Sequence, residues 1–192
     1  MVDFLLLQIA KTVILSEFDK SYTIDRDVLV QKYPYLQKKG AAFVTLNKGQ
    51  ELRGCIGSIV AHQPLIDDII HNAKAAAFSD PRFHPLQLDE IDETFTLEVS
   101  VLSEPRKIEY KDFDDLAKKI VPNKDGLILQ YGQYQGTFLP QVWQQLQTPK
   151  LFLEHLSYKA GANPSIYEYH PDIYRYYDEH IKEVFDAIPP LQ

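Results

Sequence analysis

The hexapeptide Leu52-Arg53-Gly54-Cys55-Ile56-Gly57 is the most unusual stretch of the sequence, because it sets a guanidinium two residues from a thiol and flanks that thiol with glycines. Side chains alternate along a strand, so Arg53 and Cys55 are expected on one face and Leu52 and Ile56 on the other. A nearby cation favours the thiolate, which is the nucleophilic form of cysteine. Such a thiolate could attack a carbonyl or phosphoryl group, with a histidine serving as acid or base. Gly54 and Gly57 are poor strand residues, and their presence predicts a bulge or the close approach of another backbone or a ligand. A plainer reading stands beside this one: Cys55 as a small buried hydrophobe and Arg53 as the partner of an acid.

Asp80-Pro81-Arg82-Phe83-His84 is the second candidate. Two prolines, Pro81 and Pro85, constrain the loop that carries this carboxylate, guanidinium and imidazole, and constrained loops are common places for sites. Arg82 could grip a carboxylate or phosphate through two parallel hydrogen bonds. His84, or alternatively His62, could move protons near neutral pH. In the plainer reading Asp80 caps a turn and Arg82 pairs with an acid. Glu98, on the polar face of a predicted strand, could meet either arginine.

The remaining motifs argue against other chemistries. The six histidines are scattered with no His-Glu-x-x-His spacing, and although His170, Asp172 and His180 can be drawn as ligands, nothing in their spacing demands a metal, so none is expected. There is no glycine-rich phosphate loop and no dinucleotide fingerprint, so no cofactor is expected either. Cys55 is the only cysteine, which excludes an internal disulfide.

Several elements must position these residues. Apolar residues at helical spacing from Phe4 to Ile14 predict an amphipathic helix over 3–16. A short helix over 25–32 is expected to close at Pro34. The runs 41–46 and 51–59, joined by Asn47-Lys48-Gly49-Gln50, predict a hairpin. Pro64 opens a helix whose buried stripe is Leu65, Ile66, Ile69, Ile70, Ala73 and Ala77. Phe95, Leu97, Val99 and Val101 alternate with polar residues, the cleanest strand of the sequence. Further expectations are a helix over 112–120, strands over 126–131 and 136–139, a short helix from Pro140 and a helix over 150–160 stopped by Gly161. The Tyr-rich, acidic tail from Tyr167 to Leu191 is expected on the surface. Helices and strands mix without βαβ alternation, which predicts an α+β fold with antiparallel sheet.

At 192 residues, 45% hydrophobic and 24% charged, the chain fits one compact domain or two small lobes and excludes a disordered protein. Its 20 basic against 27 acidic residues give a net charge of −7, and the basic residues are scattered, which makes nucleic acid an improbable partner. No apolar run reaches the roughly 20 residues needed to span a bilayer, and no leader pattern is evident, so the chain reads as cytoplasmic with no membrane partner.

Four motifs taken in order resemble the AMMECR-type domain family, whose microbial members are AmmeMemoRadiSam system protein A: Leu52 to Gly57, Ala75 to Phe83 with Pro85-Leu86, Phe138 to Val142, and Lys159-Ala160-Gly161. The strand Leu97 to Leu102 agrees as well, so the resemblance covers almost the whole chain. It implies two interleaved subdomains, each with antiparallel sheet and flanking helices, the larger containing both chain ends. It also implies that the Arg-Gly-Cys segment is exposed in a cleft between them. Ser157 stands where such sequences often have Cys. Two functions follow as expectations. One is an enzyme acting on a small anionic or carbonyl ligand, with Cys55 and His84 catalytic and Arg53, Gly54, Gly57, Asp80 and Arg82 binding. The other is a non-catalytic adaptor working with Memo-like and radical S-adenosylmethionine partner proteins.

Overall fold

The computed structural model describes residues 2–191. In chain order its elements are α1 (Phe4–Phe18), α2 (Arg26–Lys32), β1 (Lys39–Lys48), β2 (Glu51–Gly57), β3 (Gln63–Pro64), α3 (Leu65–Phe78), β4 (Phe95–Leu102), β5 (Arg106–Lys107), α4 (Phe113–Lys119), β6 (Gly126–Tyr131), β7 (Tyr134–Phe138), α5 (Pro149–Lys159), β8 (Asp172–Tyr176) and β9 (Asp178–Val184). The chain divides into two compact units, one built from the residues up to Leu102 together with those from Glu179 onward, the other from Ser103–Asp178. Each unit holds one antiparallel sheet, and the fold is α+β.

In the first unit the strands run β2-β1-β4-β9, with β3 also paired to β1. Residues directly opposite one another in register share a face of the sheet. Val44 and Leu46 of β1 sit opposite Val99 and Leu97 of β4, all fully buried. Their face packs with α1 and α3 into the core of this unit. The helix at the N-terminus is less amphipathic than its sequence predicts. Leu5–Leu7 and Ile9–Ile14 are all buried, because the C-terminal segment covers the side that would otherwise face water. Lys11 is part of that cover: its ammonium donates to the Phe185 carbonyl at 2.7 Å and lies 4.7 Å from the Phe185 ring centre.

The second unit orders its strands β5-β8-β6-β7, with α5 packed on the sheet and Trp143 stacked on Phe152 at 3.9 Å. Gly161 stops α5 as expected, at φ +85°. The Ala162 N–H returns to the Ser157 carbonyl and the Gly161 N–H to that of Tyr158, the two bonds of a Schellman cap.

The tail departs from its predicted surface role. β8 lies between β5 and β6, Ile173 and Tyr176 are buried, and Phe185 and Ile188 join the first core. The polar partners in Asp172-Ile173-Tyr174-Arg175-Tyr176 disguise an alternating strand, and tyrosine buries its ring while keeping a hydroxyl to satisfy. Tyr176 does so, donating to the Phe138 carbonyl at 3.0 Å.

Candidate functional site

The Arg-Gly-Cys segment lies on β2, an edge strand, and contains the bulge that its glycines predict. Gly54 pairs with Leu46 and Leu52 with Asn47, so Arg53 is the extra residue with no partner on β1. This corrects the expected face assignment. The bulge shifts the alternation, so Leu52 joins Cys55 on the face away from the helices, while Arg53 leaves the ladder altogether. Gly54 falls on the helix side, where an added Cβ would sit 2.1 Å from the Ala76 carbonyl oxygen of α3. At Gly57 a Cβ would sit 2.2 Å from the Phe43 ring. The close approaches at both glycines are therefore made by the chain itself.

Arg53 is 7% exposed and its guanidinium turns to the loop after α3. Nε and Nη2 donate to Glu90 at 2.7 and 2.9 Å, and Nη2 also donates to the His84 carbonyl at 2.9 Å. This pairing holds the Glu90 carboxyl down at about 2. Asp80 and Arg82 act on the neighbouring backbone. An edge strand leaves outward N–H and C=O groups unpaired. Asp80 accepts the Cys55 N–H at 2.9 Å, and Arg82 donates to the Cys55 carbonyl at 3.1 Å. The two side chains also grip each other, Nε to Oδ1 at 3.0 Å and Nη2 to Oδ2 at 2.8 Å, which holds the Asp80 carboxyl well below the usual carboxylate range. Both guanidinium carbons lie within 6 Å of the Phe83 ring centre, at 5.7 Å for Arg53 and 5.5 Å for Arg82. The whole loop is thus fastened along the edge of β2.

The thiol of Cys55 sits elsewhere. In register on three adjacent strands stand Cys55, Thr45 and Glu98. The Thr45 hydroxyl donates to Sγ at 3.2 Å. Burial pushes the thiol above its ordinary pKa, and Asp80 and Glu98 push the same way, against the pull of the Thr45 hydrogen bond and the Arg82 charge. Of the two arginines, Arg82 is the one whose charge favours the thiolate, while the guanidinium of Arg53 is directed away and committed to Glu90. His84 turns to Glu90 as well, with Nε2 at 3.4 Å from Oε1 and its side chain 69% exposed. His62 is an exposed loop residue whose Nδ1 lies 3.0 Å from the Val60 carbonyl.

Thr45 and Glu90 went unassigned in the sequence, although Thr45 is fixed by hairpin register and the position of Glu90 depends on a long-range contact. Asp68, in the first turn of α3, is a further polar residue that the sequence does not single out. It is fully buried, and its carboxylate accepts from the Ala42 N–H, Ser58 Oγ, Gln63 Nε2 and Asn72 Nδ2. Beyond Gly57, where β2 ends, it holds β1 to α3. Among the described residues no cluster of three metal-ligating side chains forms. No helix of the described residues is long and apolar enough to cross a membrane.

An α+β chain whose glycine-containing edge strand is clamped by the loop after its central helix defines a class with recorded relatives. The AMMECR1 family profile matches residues 7–181, and the chain belongs to that family. It is 43% identical over 166 residues to protein LS215_2104 of Saccharolobus islandicus, covering 83% of this chain and 71% of the relative. Protein SSO0193 of Saccharolobus solfataricus is 43% identical over 167 residues, with the same shares covered. Among solved structures, protein PH0010 from Pyrococcus horikoshii superposes with a TM-score of 0.80 at 31% identity, covering 97% of this chain and 96% of the other.

Proposed function

We propose that the Arg-Gly-Cys region is a non-covalent binding surface, and that the Cys55–Thr45–Glu98 row recognises a donor-rich or cationic group on a partner. The observation that carries this reading is the commitment of both arginines to internal acids, Arg53 to Glu90 and Arg82 to Asp80. In the same row, one strand beyond Thr45, the carboxylate of Glu98 has no ion-pair partner among the described residues, and Ser100 Oγ donates to it at 3.4 Å. A surface of that sign attracts an ammonium or guanidinium and repels the anion that the isolated arginines suggest. A protein partner carrying such a group fits the adaptor role implied by the family resemblance. The enzymatic reading would need the Cys55 proton removed, for which Glu98 in the same row is the candidate base.

The test is backbone amide chemical-shift mapping of the whole chain with propylammonium and, separately, inorganic phosphate. Propylammonium in the millimolar range is expected to shift Thr45, Cys55 and Glu98, and a Glu98→Gln variant to lose the effect. Phosphate shifting these residues or Arg53 and Arg82 more strongly, or propylammonium shifting none of them, overturns the proposal.

A further inference from the structure

The 24 residues from Gly126 to Pro149 contain no Asp, Glu, Lys, Arg or His, the longest such run in a chain in which charged residues make up 24%. Burial accounts for part of it, since Gly126 to Leu129 and Trp143 are covered. The remainder includes seven glutamines, and all of them are exposed. The run therefore forms an uncharged surface on a protein whose net charge is −7.

Within that run lies β7, an outer strand of the second sheet. Tyr131 and Tyr134 flank the two-residue turn of the β6–β7 hairpin and exchange backbone hydrogen bonds, and bonded pairs alternate from there along the ladder. Tyr134, Gly136 and Phe138 thus direct their backbone groups to β6, while Gln135 and Thr137 direct theirs outward. Among the described residues no hydrogen bond reaches these outward N–H and C=O groups. An exposed strand edge is a template for another strand, and proteins commonly guard it with charge, proline, a bulge or a covering segment. The other outer strands are guarded. The Asp80–Arg82 clamp occupies β2, β5 is two residues long and both are basic, and β9 carries Asp178, Glu179, Lys182 and Glu183. In contrast β7, Tyr134–Phe138, has no charge and no proline, and its register with β6 is unbroken.

We propose that β7 pairs antiparallel with β7 of a second copy of this chain about a two-fold axis, joining two four-stranded sheets into one. In a two-fold contact each surface meets the same surface of its copy, so a charged patch meets its own sign. At a net charge of −7 two copies repel, and the uncharged surface is where they approach at least cost. The edge is also self-complementary. The outward N–H and C=O groups of Gln135 and Thr137 meet the same groups on the other copy, each a donor facing an acceptor. Their amide and hydroxyl side chains both donate and accept, so like side chains meet without leaving a group unpaired. A charged ligand would find no counter-charge on this edge.

Sedimentation equilibrium of the whole protein from about 5 μM to about 500 μM tests this. The 22.2 kDa chain is expected to shift to a dimer of about 44 kDa as concentration rises. Gln135→Lys, at an exposed position, and Thr137→Pro, which removes an outward N–H and no bond to β6, should each weaken the dimer at least about tenfold. Circular dichroism shows whether they fold, and Gln135→Lys decides alone where the proline is not tolerated. Raising the salt from about 0.05 M to about 0.5 M should tighten the dimer, because the contact holds no ion pair while the copies repel. Amide exchange at Gln135 and Thr137 should slow as concentration rises, and exchange at Gly136, already bonded to β6, should not. A protein that stays monomeric, a dimer unaffected by the variants, a dimer that salt dissociates, or exchange at Gln135 and Thr137 independent of concentration overturns the proposal.

Discussion

Replacing Glu90 by Gln isolates the contribution of the ion pair that fastens the loop to β2. Gln keeps the shape of the side chain and mimics a protonated carboxyl, while Arg53, 7% exposed, loses its counter-charge. The Glu90 carboxyl is held at about 2, against an ordinary 4.5. A carboxyl depressed in the fold stabilises it above the unfolded value, and that stability is lost as pH falls through the folded value. Integrating between the two values gives about 3 kcal/mol at pH 7, about 1 kcal/mol at pH 3 and almost none at pH 2. Removing one partner of a fully buried pair costs roughly 3–5 kcal/mol, and this pair, with the Glu90 side chain 18% exposed, belongs at the lower end of that range. Urea unfolding followed by circular dichroism, for both proteins at pH 7 and pH 3, reads the difference directly. Glu90→Gln should cost about 3 kcal/mol at pH 7 and less than half of that at pH 3. A cost under about 1 kcal/mol at pH 7, or one that is equal at both pH values, would refute the assignment of Arg53 to this pair.

Other substitutions test neighbouring parts of the same construction. Gly54→Ala would drive a methyl to 2.1 Å from the Ala76 carbonyl, so β2 and α3 must separate, and a loss of about 2–3 kcal/mol is expected in urea unfolding. Asp68→Ala leaves the Ala42 N–H, the Ser58 hydroxyl and two side-chain amides without their acceptor, and should cost about 3 kcal/mol or more. Asp80→Asn weakens the clamp on the Cys55 backbone, so amide exchange at Cys55 should quicken while exchange in β6 stays unchanged. Equal exchange at Cys55 in the variant would show that the clamp does not hold the edge.

Much of the fold is legible in the sequence because its signals are local. The alternation Phe95 to Val101, the Asn47 to Gln50 turn, Pro64 at a helix start and Gly161 at a helix stop each follow from a few neighbouring residues. The tail was misplaced because its buried strand is written in tyrosine, aspartate and arginine, and α1 because its extra cover comes from residues some 170 positions away. For the site, the glycines signalled a bulge, but only the register with β1 shows that Arg53 occupies it. The charge balance also depended on distant partners. Arg82 and Asp80 are two positions apart and suggest a pair, whereas Glu90 is 37 positions from Arg53, and nothing local joins them. Cys55 and Thr45 are linked only once the hairpin register is known.

The reactivity of the one thiol bears most directly on the proposed non-covalent role. Its alkylation rate by iodoacetamide, followed by mass spectrometry from pH 6 to pH 10 in native buffer and again in urea, gives the titration midpoint of Cys55 in both states. Burial and the carboxylates of Asp80 and Glu98 should place the native midpoint above the ordinary value of roughly 8.5, with urea restoring it and speeding the reaction. A native midpoint below about 7.5, with modification faster in the folded protein than in urea, would show an activated thiolate and contradict the binding-surface reading.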